Sequence, residues 1–226
     1  MEAGDTMYFA IIGNIIDSKD IAGQISLKKK LEEVFDEIYE KYGSDLALHF
    51  TLTNANEFQG LLSVSLRILE IIDRIRIKME PVDIRFGIGI GEIVGKIENP
   101  LSTGVDGPAF WNAREAIIEI HHGIDYGKTK ILIMSDENKH ITRIMNENLR
   151  LCDYIESRWR ETQKEVVEFS ILHFGYNLKV KQTDLARMLN LSTQALNQRI
   201  QSSGYYNFLR ARKEISEIIN SVWSRE

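Results

Sequence analysis

The sequence KQTDLARMLNLSTQALNQRI, residues 181–200, has the pattern of two short helices joined by a tight turn. Leu185 in the first helix, and Leu196 and Ile200 in the second, supply apolar side chains where two such helices would cross. Asn190 stands at the turn position that usually holds glycine, and Asn tolerates a left-handed backbone better than most residues do. The segment therefore predicts a helix-turn-helix.

The second helix of this segment has a polar outer face. Ser192 is well placed to cap its first turn. Gln and Asn side chains pair with adenine edges in the major groove, and Arg pairs with guanine or with phosphate. We therefore predict duplex DNA as a partner, and the predicted DNA-binding residues are Thr193, Gln194, Asn197, Gln198, Arg199 and Lys181.

Positive charge is concentrated around the same segment. The whole chain has a net charge of −5, yet residues 176–213 contain a single acidic residue, Asp184. The basic residues of this stretch are Lys179, Lys181, Arg187, Arg199, Arg210, Arg212 and Lys213. Such a local excess of cations is what attraction to a phosphate backbone requires.

Composition indicates a reducing compartment and a soluble chain. Cys152 is the single cysteine, so no internal disulfide can form. The longest apolar run, residues 7–12, is far too short to span a bilayer, and no secretory signal opens the sequence. We therefore expect a cytoplasmic protein with no membrane partner.

The front half has the pattern of a mixed sheet with helices, in the order β-α-β-β-α-β-α-β. The predicted strands cover 8–13, 49–53, 58–62, 82–90 and 130–134, and the predicted helices cover 27–42, 66–77 and 108–121. We expect an α+β fold: a ferredoxin-like sheet with helices on one face, followed by an all-α helix-turn-helix domain. The predicted division is 1–136 for the sheet domain, 137–160 for a bridging helix and 161–226 for the helix-turn-helix domain.

Glycines alternate in the predicted strand at 82–90 and just after it. Gly87, Gly89 and Gly91 do not form a phosphate-loop fingerprint. Alternating glycines in a strand more often permit the close approach of a neighbouring backbone. We therefore expect another element to pack directly on this strand.

Four segments together resemble the SatD family. They are IIGNIIDS at 11–18, TNANEFQG at 53–60, IRFGIGIGE at 84–92 and GPAFWNAREA at 107–116. The front half of that family is similar to class III nucleotide cyclase domains, so the resemblance implies a nucleotide cyclase-like fold and a homodimer. In cyclases the first strand and the hairpin each supply an aspartate, and the pair holds two magnesium ions against a nucleotide triphosphate.

The residues at those two aspartate positions are Asn14 and Asn56. Their neutral amides remove two negative charges from a site for hard dications, which bind mainly through carboxylates. Nearby carboxylates could still hold an ion, and the candidate metal ligands, for Mg or Mn with a nucleotide, are Asp17 and Glu57. The candidate ligand- or nucleotide-binding residues are Asn14, Asp17, Ser18, Asn56 and Glu57.

A third cyclase motif also departs from the family pattern. Cyclases place an Asn, and an Arg four residues later, over the transferring phosphate, and Trp111 and Glu115 occupy those positions here. Asn112 and Arg114 are each displaced by one residue, which turns a helical side chain by about 100°. These departures disfavour cyclase chemistry, and no catalytic residue is predicted.

Three hypotheses follow for the function. The first is a DNA-binding regulator with a degenerate cyclase-like domain that dimerises or senses a nucleotide-like ligand. The second is a divergent metal-dependent nucleotide cyclase or phosphotransferase that uses Asp17 and Glu57. The third is a non-catalytic adaptor in which both parts bind protein.

Overall fold

The computed structural model describes residues 6–16, 21–101, 104–123 and 128–224. Its strands are β1 (Tyr8–Ile15), β2 (Leu46–Asn54), β3 (Glu57–Leu62), β4 (Ile84–Gly91) and β5 (Ile131–Ser135). Its helices are α1 (Ile21–Tyr42), α2 (Ile68–Met79), α3 (Pro108–His121), α4 (Lys139–Glu156), α5 (Glu161–Phe174), α6 (Gln182–Met188), α7 (Thr193–Ser203) and α8 (Tyr205–Trp223). Within these ranges no helix combines the length and the apolar character that a bilayer crossing requires.

The strands form one five-stranded sheet in the order β2-β3-β1-β4-β5. The pairs β2–β3, β3–β1 and β1–β4 are antiparallel, and β5 is added parallel to β4. This is the predicted split βαβ arrangement with one further strand at its edge. The predicted order of strands and helices in the front half is confirmed.

Helices cover both faces of this sheet, so the prediction of helices on one face is wrong. Side chains alternate along β1, and Phe9 and Ile11 point into a core shared with α1 and α2. Ala10 and Ile12 point the other way, into a second core that α3 covers. The uninterrupted apolar run at the start of β1 therefore belongs to a strand that is buried on both sides.

The glycines of β4 explain how α3 reaches the second face. A Cβ atom on Gly89 would lie 1.9 Å from the Ala109 carbonyl oxygen, and one on Gly87 would lie 2.2 Å from that of Ala113. No side chain fits in either space, so the backbone of α3 packs directly on the strand. The predicted close approach at these glycines is confirmed.

The core between α1, α2 and the sheet continues into the C-terminal helices. Its members from that part include Met145, Leu149, Cys152, Val166, Ile171, Leu196, Phe208, Ile219 and Trp223. The predicted bridging helix corresponds to α4, which packs along β5 and against α8. The three-part division of the chain stays a prediction, and its parts share one hydrophobic core.

One residue on each outer strand of the sheet is hydrogen-bonded to a group outside the sheet. On β5, the side-chain amide of Asn146 accepts a hydrogen bond from the Ile133 amide and donates one to the Ile133 carbonyl, both at 2.8 Å. On β2, the amide of His49 donates to the carbonyl of Pro100 at 2.9 Å. Both edges of the sheet therefore have backbone groups occupied by contacts from outside the sheet.

Candidate functional site

The turn between α6 and α7 has the predicted geometry. Asn190 has a left-handed backbone, with φ at 56°. The Leu191 amide donates to the Ala186 carbonyl at 2.9 Å, which closes the end of α6. The Ser192 hydroxyl accepts a hydrogen bond from the Ala195 amide at 3.1 Å and so caps α7. The predictions for Asn190 and Ser192 are confirmed.

The apolar side chains of this segment hold α6 and α7 against the rest of the protein. Leu185, Ala186, Leu196 and Ile200 are buried, and each is 3% exposed or less. Leu189 and Leu191 are partly buried and pack against the same core. The arrangement of the two helices is therefore stabilised by packing against the core.

The solvent side of α7 carries four of the predicted DNA-binding residues. Thr193, Gln194, Asn197 and Gln198 are all exposed. Lys181, immediately before α6, is exposed as well. The exposed side of α7 therefore carries one hydroxyl group, from Thr193, and three side-chain amides, from Gln194, Asn197 and Gln198.

Arg199, the sixth predicted contact, is engaged within the protein. Its guanidinium donates to the Glu165 carboxylate at 2.8 Å and to the Thr162 carbonyl at 3.3 Å. Its side chain is only 22% exposed. This contact ties α7 to α5, so Arg199 lies beside a carboxylate and is not free in solvent.

Fewer of the basic side chains in residues 176–213 are exposed and unpaired than the sequence count of seven suggests. Arg212 is fully buried, Arg187 pairs with Asp184, and Lys213 pairs with Glu217. Among the residues that the structure describes, Lys179, Lys181 and Arg210 make no ion pair. The count of seven cations from the sequence therefore overstates those available to a phosphate backbone.

Arg212 belongs to a buried charge cluster, which we define as Asp73, Arg76, Asp153, Glu156 and Arg212. The Arg212 guanidinium lies 3.3 Å from Asp73 and 3.9 Å from Asp153. Arg76 lies 3.2 Å from Asp73 and 2.7 Å from Glu156. The cluster therefore connects α2, α4 and α8 across the core.

Two carboxyl groups of the buried charge cluster have opposite pKa shifts. Burial raises the pKa of Asp153 to about 6, although Arg212, Arg76 and the Lys130 amide act against the shift. Burial also disfavours the charge of Glu156, but the positive charges of Arg76 and Lys130 outweigh it and lower the pKa of Glu156 to about 2. The fold therefore favours the ionised form of Glu156 and disfavours the ionised form of Asp153.

The end of the sheet where the cyclase-like metal site would lie carries three polar residues in one row. In the strand register Asn14 is opposite Glu57 on β3 and opposite Arg85 on β4. Glu57 accepts a hydrogen bond from Thr53 at 3.0 Å, and Arg85 lies 3.0 Å from a ring nitrogen of His121. The structure therefore brings Asn14 and Glu57 together.

The other candidates at this end are placed less completely. Asn56 is exposed in the β2–β3 turn, and its carbonyl accepts a hydrogen bond from the Ile15 amide at 2.8 Å. Asp17 and Ser18 lie outside the described residues. In the described part of the chain, no three His, Cys, Asp or Glu side chains are grouped so that they could hold a metal ion. This part of the sheet end does not fit a two-metal site.

Four residues of α3 lie at, or one residue away from, the positions where cyclases place Asn and Arg, and their surroundings differ. Trp111 and Glu115 are exposed. Asn112 is buried and donates to the Ile90 carbonyl at 3.0 Å, which anchors α3 to β4. Arg114 contacts Asp106 at 3.0 Å. Asn112 therefore has a structural contact, and its side chain points into the protein.

A surface cavity of about 400 Å³ lies between α1 and the β2–β3 hairpin. Its lining from the hairpin side includes Thr53, Asn54 and Ala55, and α1 contributes Lys28 and Leu31. The hairpin residues that line this cavity directly precede Asn56 and Glu57 in the sequence. It offers a cationic side chain, an amide and an apolar wall to a small molecule.

One family model matches this chain, and several solved structures are similar to part of it. The model of the SatD family matches residues 8–219. No curated protein matches the chain. Two structures of the guanylyl cyclase domain of the RhoGC fusion protein from the aquatic fungus Blastocladiella emersonii are similar at 16% identity. One is a monomeric double mutant with a TM-score of 0.40 and the other a non-canonical dimer with a TM-score of 0.39.

Each of these two structures covers 50% of this chain and 73% of its own. The catalytic core of a rhodopsin-guanylyl cyclase with converted specificity, in complex with ATPαS, is similar at 16% identity and a TM-score of 0.38. It covers 50% of this chain and 71% of its own. The family model spans almost the whole chain, from β1 into α8. The protein belongs to the SatD family.

Proposed function

We propose that this protein is a DNA-binding regulator that contacts duplex DNA through α7, and that its sheet supports a dimer and a ligand site. The observation that carries the proposal is the solvent side of α7. Thr193, Gln194, Asn197 and Gln198 stand exposed on a capped helix whose opposite side is locked into the core. A preformed polar helix of this kind fits the major groove.

The contacts would divide into two classes. Gln194 and Asn197 carry amides that can pair with base edges, and these residues would supply sequence preference. Lys181 would contact phosphate, which adds affinity without sequence preference. With three unpaired cations near α6–α8, the electrostatic part of the affinity should be modest and should depend on salt.

A two-fold assembly is part of the proposal. Helix-turn-helix proteins usually bind two half-sites about one turn of DNA apart, and the symmetry of the site then mirrors that of a protein dimer. A homodimer would place two copies of α7 on one duplex. The family's likeness to cyclase domains agrees with a dimeric assembly.

The test is selection of bound sequences from a random duplex library with the full chain, followed by fluorescence anisotropy. Gln194→Ala combined with Asn197→Ala should reduce discrimination between the selected and a scrambled duplex by about 1–3 kcal/mol for each lost pair. Lys181→Ala should weaken both duplexes alike and reduce the salt slope by about 1. Asn148→Ala, which removes an exposed side-chain amide from α4, is the matched control. It should change neither the discrimination between the two duplexes nor the salt slope.

The absence of any salt-dependent binding at low salt would overturn the proposal. Equal loss of affinity from Asn148→Ala and from the α7 variant would show that the effect does not arise at α7. Binding that is strong but indifferent to sequence would remove the assignment of Gln194 and Asn197.

For the front half we propose a small-ligand site at the cavity beside the hairpin. The cavity supports this because Lys28, Thr53 and Asn54 line it. Three of the candidate residues, Asn14, Asn56 and Glu57, lie at the end of the sheet beside the β2–β3 turn. The other two candidates, Asp17 and Ser18, follow β1 in the sequence. Lys28 would favour an anionic ligand such as a nucleotide, with Mg or Mn as a possible companion ion.

The test is thermal unfolding of the protein with nucleotides, with and without Mg²⁺ or Mn²⁺. A ligand at about one hundred times its Kd should stabilise the fold by about 2.7 kcal/mol, which corresponds to about 5–10 °C in Tm. Lys28→Glu should abolish the shift, and Lys29→Glu, the neighbouring exposed lysine, should keep it. Consumption of a triphosphate that is lost in Asp17→Ala would instead establish the enzyme hypothesis.

A further inference from the structure

The outward side of α3 carries two large apolar side chains. Trp111 and Ile118 are 55% and 54% exposed and stand seven residues apart. Positions i, i+3, i+4 and i+7 share one side of a helix, so Arg114 and Glu115 lie between them on the same side. We call these four residues, Trp111, Arg114, Glu115 and Ile118, the α3 stripe.

The α3 stripe stands on a rigid base. The opposite side of α3 is in contact with the β4 backbone through Ala109 and Ala113, at the glycines that admit no side chain. Asn112 adds a hydrogen bond to the Ile90 carbonyl. The backbone of a helix held in this way does not have to rearrange on binding, which lowers the cost of binding a partner.

The order of the α3 stripe is complementary to itself. If a second copy of α3 runs antiparallel, with a two-fold axis between positions 114 and 115, Trp111 meets Ile118 of the second copy. In the same arrangement Arg114 meets Glu115 of the second copy, and each contact occurs twice. A two-fold interface requires this property, because the same patch must fit its own copy.

We propose that the α3 stripe is a self-association surface and that its partner is a second copy of this chain. Trp and Arg are enriched at the energetic centres of protein interfaces, and the stripe supplies one of each. One guanidinium nitrogen of Arg114 donates a hydrogen bond to Asp106 at 3.0 Å. Asp106 is half exposed, and the carboxyl leaves other guanidinium donors available for Glu115 of the second copy.

The inference rests on the proposed dimer and assigns its surface. The test uses two charge variants of the full chain, Glu115→Arg and Arg114→Glu, measured by sedimentation velocity over a concentration series. Each variant alone places like charges opposite each other at both symmetric contacts, and we expect self-association about tenfold weaker than that of the unmodified protein. Both positions are exposed, so the fold should persist, and circular dichroism checks this.

Mixing the two variants gives the decisive result. A heterodimer of Glu115→Arg with Arg114→Glu restores an opposite-charge pair at both contacts, so the mixture should associate more tightly than either variant alone. Arg143→Glu, on the exposed side of α4, serves as the control and should associate like the unmodified protein.

Three results would overturn the inference. A mixture that associates no better than its components would exclude the pairing of positions 114 and 115. Variants that dimerise like the unmodified protein would show that the dimer is real but uses another surface, which leaves the proposed function intact. A chain that stays monomeric at all concentrations would overturn both the surface and the proposed two-fold assembly.

Discussion

The substitution Asp153→Asn should stabilise this protein at neutral pH and should lose its effect in acid. The pKa of Asp153 is raised from 3.8 to about 6 in the fold, so its ionised form is less favourable there than in the unfolded chain. A group of this kind contributes stability below its unfolded pKa, and that stability is lost as pH rises through the folded pKa. The shift corresponds to about 3 kcal/mol at 1.36 kcal/mol per pKa unit.

Asn keeps the shape of the side chain and cannot ionise. Its oxygen can still accept the hydrogen bond that the Lys130 amide donates to Asp153 at 3.0 Å. Relative to the unmodified protein, we therefore expect the free energy of unfolding of the variant to gain about 2.4 kcal/mol between pH 4 and pH 7.5. Urea unfolding at pH 4, 5, 6 and 7.5 measures this difference directly.

Glu156, one helical turn along α4, is the matched comparison with the opposite sign. Its pKa is lowered from 4.5 to about 2, so its ionised form stabilises the fold above pH 4.5, and the stabilisation is lost as pH falls through 2. Glu156→Gln should cost about 3 kcal/mol at pH 7.5. A difference between Asp153→Asn and the unmodified protein that does not change with pH would refute the reasoning, as would equal signs for the two variants.

Three further predictions concern stability. Ser192→Ala should cost about 1 kcal/mol through loss of the α7 cap, measured by urea unfolding, and Ser192→Asp should restore it. Gly89→Ala should cost about 3 kcal/mol or more because its Cβ would lie 1.9 Å from a backbone oxygen, whereas Gly43→Ala meets only a movable ring and should cost under about 1 kcal/mol in the same assay. Asn146→Ala should cost about 1–3 kcal/mol and speed hydrogen exchange at the Ile133 amide, and unchanged exchange there would contradict the edge contact.

Local patterns in the sequence predicted most of the secondary structure. The helix predicted at 108–121 has those bounds in α3, and the left-handed Asn190 and the cap at Ser192 were both predictable from residue type. These features depend on neighbours within a few residues. The close packing at Gly89 was predictable from residue type as well, because alternating glycines in a strand permit the close approach of a neighbouring backbone, although the sequence did not show which element would approach.

The prediction that helices cover only one face of the sheet was wrong, although the sequence contained a pattern that indicates helices on both faces. The apolar run at the start of β1 does not alternate with polar residues, and such a run indicates burial on both faces. Ala109 and Ala113 on α3 form a small-residue side that packs against the glycines of β4. Reading these two patterns together would have placed α3 on the second face.

The buried charge cluster could not be predicted from the sequence. Arg212 lies among other basic residues in the chain and has no local mark of burial. Asp73 is 139 positions away from it, on α2. Their contact depends on how α8 packs across the core, which no pattern within one helix encodes. For the same reason the sequence overstated the positive charge available for the proposed DNA contact, and it did not show that Arg199 is paired with Glu165.

The hydrogen bonds at the two edge strands bear on how copies of this protein could assemble. Asn146 gives Ile133 the hydrogen bonds that a sixth strand would give, and Pro100 accepts from His49 on the opposite edge. Register shifts along β2 make that edge irregular as well. Strand addition, the usual route to open-ended polymers, would first have to displace these contacts. These contacts therefore disfavour association through the sheet edges, and the proposed two-fold contact between helical surfaces would close on itself at two copies.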